Sequence, residues 1–599
     1  MSKQTKKKKS TFSLALKRMF LGDRGEVDIF TEEQMQGPLR TIIKNFISNK
    51  IALIGLIIFL SIFLSCFILP IFFPLDVTHQ DVTQQNIQPG FSMLAVPKKL
   101  ANNAAMIDGG ATFGVGIDKD GAFYSWGHMD DRLKAVPDNM GKLVQVSAGL
   151  NHILALNEKG ELFTWGYNRL RLDKIPLELK MVKDIKQIEA GYQISFVLDE
   201  GGRLYYWGNE NLISISAGKY QGQIDKIASN TTTVMALLKD GSVVALTNKE
   251  TPFATVPAEL ERNAVDIAST DTSAAAVTRD GRVVVWGSDE DVKAIPEEIQ
   301  GKTISVSGGR AHFTALTSDG QVVSWGANNY KQSNAPAAAN GAEQISCGYY
   351  QNYAIHPDGS VTTWGLEGYL MGTDGFGRDI FTRLISGGRL TMTIGAIAVI
   401  IATIIGVIIG GISGYYGGKV DNFLMRFAEI VNAIPFLPFA MILSTILGNS
   451  VSEMGRIAII MVILGALTWP SLARLTRGQI LAEREKEFVT AAKAMGVKEM
   501  AIIFRHILPN VITQIIVSTT LSFATSMLTE SSLSFLGFGI IEPTPTWGNM
   551  LTGSQSSTVI SEYWWRWVFP SIALGLSTIS INLIGDGLRD AIDPRSNDR

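Results

Sequence analysis

At 599 residues the chain exceeds what one ordinary hydrophobic core supports, so several structural units are expected. A formal net charge of −2 argues against a nucleic-acid partner for the chain as a whole. Two cysteines, Cys66 and Cys347, exclude a disulfide framework.

Residues 1–50 are polar and basic, carrying Lys6 to Lys9, Lys17, Arg18, Arg40, Lys44 and Lys50. They read as a cytoplasmic N-terminal region. Residues 51–75 read as the first transmembrane helix, with its apolar run over 51–73. That run is about the length a helix needs to cross ~30 Å of hydrocarbon. It is too long for a signal peptide and lacks an Ala-x-Ala cleavage site.

Residues 76–370 lose this apolar character, and a repeat runs through them. Trp-Gly pairs begin at Trp126, Trp165, Trp207, Trp286, Trp325 and Trp364, at spacings of 39, 42, 79, 39 and 39. The gap of 79 is two periods, and within it "KDGSVVALTNKE" aligns with "RDGRVVVWGSDE", so Leu246-Thr247 replace Trp-Gly. That makes seven units. "VSAGLNHILALNEKGELFTWG" shows the pattern: a small-residue lead, a strand, a turn, a second strand, then Trp-Gly. The turns are Asp120-Gly121, Lys159-Gly160, Gly201-Gly202, Asp240-Gly241, Asp280-Gly281, Asp319-Gly320 and Asp358-Gly359, pairs that supply the positive φ of a tight hairpin. Short strands at a period of about 40 predict a β-propeller or solenoid. The expectation is a seven-bladed propeller over about 101–367.

Residues 371–599 return to apolar runs, near 391–412, 427–447, 457–475, 511–529 and 568–587. With the first run this predicts an α-helical polytopic membrane protein of six spans. The 457–475 run is the weakest, holding Trp469-Pro470. Basic residues cluster at the N-terminus, at the C-terminus (Arg589, Arg595, Arg599) and in the 476–510 loop (Arg477, Arg484, Lys486, Lys493, Lys498, Arg505). The positive-inside rule predicts both termini and that loop to be cytoplasmic, and the propeller to be extracytoplasmic.

The 476–510 loop contains "EFVTAAKAMGVKEMAIIFRHILPN", polar and punctuated by Ala and Gly, between two apolar runs. Ala491 and Ala492 allow close helix packing, Gly496 breaks the helix, and Pro509 is expected to set the turn into the next span. An ordinary amphipathic interfacial helix is the alternative. Glu530, at the outer end of the fifth run, either faces a pathway or pairs locally. "SGYYGGKV" fails as a phosphate loop, with Ser413 at the first Gly position and Val420 at the Ser/Thr position. The six histidines show no metal-ligand spacing, and His152 and His312 hold equivalent repeat positions, which favours a structural role. No nucleophile–base set is recognisable, so the chain is not expected to be an enzyme, and no cofactor is expected.

Two resemblances follow. The repeats resemble the regulator of chromosome condensation family, whose seven blades share this Gly-rich, Trp-Gly-ended unit. That family's nuclear role is not implied here, because residues 101–370 carry 23 basic and 32 acidic residues. The remainder resembles one permease subunit of bacterial dipeptide/oligopeptide/nickel-type ABC importers. The residues that carry this are 49–76, "MGTDGFGRDIFTRL" (371–384), "SSLSFLGFGIIEPTPTWGNML" (531–551) and "GDGLRDAIDPR" (585–595). The family has a cytoplasmic Glu-Ala-Ala-x3-Gly loop ending in Ile-x-Leu-Pro. Within a stretch starting at Glu487, it matches Thr490-Ala491-Ala492, Gly496 and Leu508-Pro509, with Thr in place of Glu. The resemblance implies that this loop couples to an ATPase. It also implies a second permease subunit, two ATP-binding subunits, an extracellular solute-binding protein, a peptide substrate and a bacterial cell membrane rich in lipid contacts. A membrane-anchored propeller receptor or sensor without transport is the second reading.

Overall fold

The computed structural model describes residues 38–213, 215–247, 252–447 and 451–592. The charge clusters of residues 6–18 and the arginines at 595 and 599 lie outside the described residues. The chain divides into two units, one of residues 1–74, 384–552 and 570–599, the other of residues 75–383 and 553–569.

The first unit is helical. A short helix α1 (Pro38–Ser48) precedes α2 (Lys50–Phe72). Asn49 separates them and caps the second, its side-chain oxygen accepting from the N–H groups of Ile51 and Ala52, both at 3.2 Å. Then come α3 (Ile380–Tyr416), α4 (Gly418–Ala433), α5 (Phe436–Leu447), α6 (Glu453–Glu483), α7 (Glu487–Ala494), α8 (Leu508–Phe535) and α9 (Trp565–Ile592). Among the described residues, five helices are long and apolar enough to span a membrane. The expected span at 427–447 is instead the pair α4 and α5, bent by 71°, so the count is five, or six if the pair is one span. The break has a local cause. Pro435 disfavours helical backbone at the residue before it, and Ile434 is extended at φ −71°, ψ 117°.

α3 and α6 approach closely along Gly406, Gly410 and Gly414, which recur every fourth residue on one face. A Cβ at Gly410 would lie 2.4 Å from the Ala473 carbonyl, and one at Gly414 2.8 Å from that of Arg477. Small residues at this spacing let backbones meet where the hydrophobic effect gives helices no reason to associate.

The second unit holds seven separate three-stranded antiparallel sheets, each built from strands consecutive in the chain. They cover residues 104–127, 143–166, 185–208, 224–245, 264–287, 303–326 and 344–365. The hairpin turns have three residues: Gly121 N–H returns to Asp118 O at 2.9 Å, and Gly121 alone has positive φ, +81°. This is the type I turn closed by a left-handed glycine, so the residue before each glycine needs no unusual backbone. In six sheets the first strand carries a bulge after its first residue, which adds twist.

The apolar core lies between sheets. Phe113, Val115 and Ile117 of the first sheet share a cluster with Leu143, Val146 and Ile153 of the second. Similar clusters join each later pair. The seventh and first sheets share one too, with Tyr353 and Ile355 against Ala104, Ile107 and Trp126. Ala104 N–H donates to Gly359 O at 2.9 Å, and Val361 N–H to Ala101 O at 3.0 Å.

Candidate functional site

The residues 484–510 build a small platform. Arg484 donates to the carbonyls of Gly414 and Tyr415, at 3.2 and 3.3 Å, satisfying acceptors that the end of α3 leaves open. Beside it Arg477 clasps Asp421 with two bonds of 2.5 Å, and Ser413 donates to the same carboxylate at 2.5 Å. These contacts tie α3, α4 and α6 together at one end. The sequence showed both arginines only as positive charges. Their partners, 56 and 70 residues away, carry no local signal.

α7 stands on this base. Glu487 lies in its first turn and Lys493 in its last, each matched to the helix dipole. Val489 and Ala492 face inward, buried with Ile480, Ile502, Ile503, Ile507 and Val511. Glu487, Thr490, Ala491 and Ala494 are exposed, with Phe488 36% and Met495 76% exposed beside them. Ala491 is thus open to a partner, while Ala492 is part of the chain's own packing. The helix ends in a Schellman motif. Val497 N–H donates to Ala492 O at 3.1 Å and Gly496 N–H to Lys493 O at 3.0 Å. Val497 packs into the same cluster as Ala492, and Gly496 takes the left-handed position at φ +75°. Lys493 Nζ sits 5.0 Å from the Tyr415 ring centroid.

Leu508-Pro509 do not make the expected turn. The helix runs on from Glu499 to Phe535, with a wide π turn at Ile502–Ile507 just before them. Leu508 N–H reaches Ile503 O, five residues back. Proline offers no N–H and crowds the carbonyl four residues earlier, so the widened turn shifts the ladder where it would otherwise fail. Leu508 is half-buried and Pro509 exposed.

Glu530 is fully buried. Ser534 donates to it at 2.7 Å and Ser531 lies at 3.4 Å. Ser534 also accepts from Ile540 N–H at 3.1 Å. Asn549 then holds the Ile540 and Thr544 carbonyls at 3.1 and 2.8 Å, and Trp547 N–H donates to Thr391 at 3.2 Å. Glu530 thus pairs locally within α8, and Ser534 links that pair to the 536–551 loop.

In the second unit, polar side chains stitch neighbouring sheets. Asp108 accepts from Ser147 Oγ and Ala148 N, both at 2.9 Å. Gln145 binds Ile188 N–H and Lys186 O, Gln187 binds the N–H and carbonyl of Ile227, and Glu189 accepts from Ser229 N–H. His152 and His312 are fully buried and bond to Ser195 and Asn352 of the following sheet, at 2.9 and 2.8 Å. A cavity of about 330 Å³ lies among these inner strands. The entering and leaving segments are bonded together. Ile87 N–H donates to Thr373 Oγ1 at 2.8 Å, Thr373 N–H to Ile87 O at 2.9 Å, and Asp81 N–H to Phe376 O at 2.9 Å. Asp81 pairs with Arg310, which reaches Asp271 at 3.1 Å, and Tyr350 donates to Asp81 at 2.5 Å. Burial works against the Asp81 charge, but Tyr350 and Arg310 hold its carboxyl below the usual range. Among the described residues, no group of three or more His, Cys, Asp or Glu could hold a metal ion.

Residues 402–598 match the family described as binding-protein-dependent transport system inner membrane component. Residues 37–89 match the N-terminal transmembrane domain of oligopeptide transport permease C. Residues 143–170 and 304–332 match the regulator of chromosome condensation repeat. The chain is 42% identical over 227 residues to the oligopeptide transport system permease protein OppC of Haemophilus influenzae, covering 38% of this chain and 70% of that one. It is 42% identical over 224 residues to the dipeptide transport system permease protein DppC of Alkalihalophilus pseudofirmus, covering 37% and 71%. It is 42% identical over 228 residues to OppC of Escherichia coli, covering 38% and 73%.

Proposed function

This chain belongs to the family of binding-protein-dependent transport system inner membrane components, and from that membership we propose that it is a peptide-translocating permease subunit of an ATP-binding-cassette importer. The observation that carries the reading is α7: a short helix fixed on its inner side by buried apolar residues and bare on its outer side. A rigid, exposed helix of this kind can transmit a partner's closure as rigid-body motion. Thr490, Ala491 and the Glu487 turn meet the ATP-binding subunit, Gly496 ends the docking helix, and Leu508-Pro509 lie in the helix that carries the motion onward. Two ATP-binding subunits supply hydrolysis, a second permease completes the pathway, and an extracellular solute-binding protein delivers the peptide. The relatives' names support a peptide cargo.

The termini and the 476–510 loop are cytoplasmic in this reading. Residues 76–370 form an extracytoplasmic segment, and residues 371–599 the rest of the permease core. The seven sheets are the blades of one closed propeller, which the packing of the seventh sheet on the first supports. Such closure brings the ends of the insertion together, so the chain can leave one span and return to the next. The propeller docks the binding protein or another extracellular ligand.

The test is uptake of a labelled tripeptide by cells lacking the gene, with affinity purification of the restored chain. The reading expects uptake to return with the chain and ATP-binding subunits to purify with it. Unchanged uptake without the chain, together with a chain that purifies without any ATP-binding subunit, would establish the membrane-anchored receptor instead.

A further inference from the structure

The first strands of all seven sheets line the cavity of about 330 Å³. That volume is at the low end of small-molecule pockets, ~300–1,000 Å³. Six charged residues stand on those strands. Lys186 pairs with Asp225 at 2.5 Å, and Lys226 pairs with Asp266. The other two are Asp108 and Glu189, and both line the cavity. Among the described residues neither has an ion-pair partner. The wall therefore carries two carboxyl groups without a counter-ion.

The two differ in what they still lack. Asp108 accepts four hydrogen bonds, from the N–H groups of Gly109 and Ala148 and the hydroxyls of Ser147 and Ser346, at 2.9 to 3.2 Å. Glu189 accepts only from Ser229 N–H and Gln187 Nε2, whereas a carboxylate offers about four acceptor positions. On the same cavity wall Ser269 is 4% exposed, and its hydroxyl has no hydrogen-bond partner. An enclosed hydroxyl left unpaired is costly and points to a partner from outside the chain.

These features select the occupant. Two unbalanced carboxyl groups disfavour an anion. Among the described residues no group of three or more His, Cys, Asp or Glu could hold a metal ion. An apolar ligand would leave Glu189 and Ser269 as short of partners as before. An organic ammonium supplies what the wall lacks, a positive charge and three N–H donors, on a body small enough for the cavity.

We propose that the cavity inside the seven sheets binds a small organic amine, with its ammonium group on Glu189. The proposal goes beyond the permease reading and does not depend on it. Burial lifts the Glu189 carboxyl to about 7, with Asp108 adding to the rise and Lys226 opposing it. An arriving ammonium favours the charged carboxylate, so binding near neutral pH drives a proton off Glu189. The other titratable groups on the wall are Tyr192, Tyr349 and Cys347. Burial pushes Cys347 up to about 11 and Tyr349 well above its ordinary value, so both stay neutral there.

The experiment is isothermal titration calorimetry of the purified full chain at neutral pH, in two buffers of different ionisation heat. The probes are 1,5-diaminopentane, spermidine and the uncharged 1,5-pentanediol. The expected result is binding of the amines alone, with release of about half a proton, the share that Glu189 holds at its midpoint. Glu189→Gln abolishes that release and weakens binding at least about tenfold, as loss of one partner of a buried charge pair does. Ser269→Ala removes a hydroxyl that bonds to nothing else in the chain, so it weakens binding severalfold at an unchanged melting temperature. If Glu189→Gln does not fold, the parent's proton release and the Ser269 variant carry the test. Equal binding of the diol, amine binding without proton release, or affinities unchanged in the variants would overturn the proposal. No heat from either amine would overturn it too, leaving a cavity that holds water alone.

Discussion

Each tryptophan of the repeats buries its ring and donates its indole N–H to a backbone carbonyl in the loop before its sheet. The acceptors are Met93, Leu133, Leu172, Phe253, Val292 and Gln332. The donors stand out in the sequence because one residue type recurs. The acceptors do not, because the bond uses only their main chain and their buried side chains vary among Met, Leu, Phe, Val and Gln. Where the fourth unit lost its tryptophan, Leu246 is buried in its place and Ile213 bridges Thr247 instead. The titrating groups of the inner strands were equally hidden, since burial is not written locally. Burial lifts the Glu189 carboxyl from 4.5 to about 7 and drops His152 and His312 from 6.5 to about 4. A carboxyl raised on folding gives its full stabilisation below pH 4.5 and loses it as pH rises to about 7. The buried histidines act oppositely: their contribution is full above pH 6.5 and fades as pH falls towards 4. Between pH 4.5 and 6.5 the two effects oppose. Glu189→Gln removes only the first. Thermal unfolding of the purified full chain, followed by tryptophan fluorescence, should therefore show the variant losing stability on acidification through that window more steeply than the parent. The added slope is about 1.4 kcal/mol per pH unit, one proton's worth. Parallel curves would show that Glu189 does not titrate there.

At the scale of elements, length and apolarity made the spans legible, while proline misled twice in opposite directions. Pro435 breaks a span that composition read as continuous, and Pro509 sits inside a helix expected to end at it. The difference lies in what surrounds each one. Ile434 leaves the helix as extended backbone, whereas the π turn at Ile502–Ile507 absorbs the missing N–H. Gly406, Gly410 and Gly414 stand four residues apart in the sequence, but nothing there marks their partner on α6. The inward and outward faces of α7 were also undecided, since Ala491 and Ala492 read alike and only the packed structure separates them. That separation gives a paired prediction. Ala491→Arg adds a charge to the open face, so the protein should reach the membrane at normal level while peptide uptake falls at least tenfold. Ala492→Arg puts the charge into an apolar cluster, where it is costly, so the amount of protein itself should fall. Immunoblots beside uptake assays check both. Normal uptake by the Ala491 variant would mean that the open face carries no coupling contact.

For the whole molecule, a membrane protein has received a domain of another architecture between its first and second spans. The segments matching the permease family, residues 37–89 and 402–598, lie on either side of the repeats. The arrangement was legible because the two materials differ in composition and in period. The bonds that tie the entering segment to the leaving one, Ile87 to Thr373 and Asp81 to Phe376, were not, since nearly 300 residues separate the partners. The central claim is that this chain works by docking the open face of α7 onto a cytoplasmic ATP-binding subunit. The most direct measurement is photo-crosslinking from p-benzoylphenylalanine at Ala491 or Met495 in intact cells, with adducts identified by mass spectrometry. The account predicts an adduct with an ATP-binding subunit from both positions, which would also fix the 476–510 loop in the cytoplasm. Adducts with an extracytoplasmic protein, or none with an ATP-binding subunit from either position while the chain is present at normal level, would contradict it.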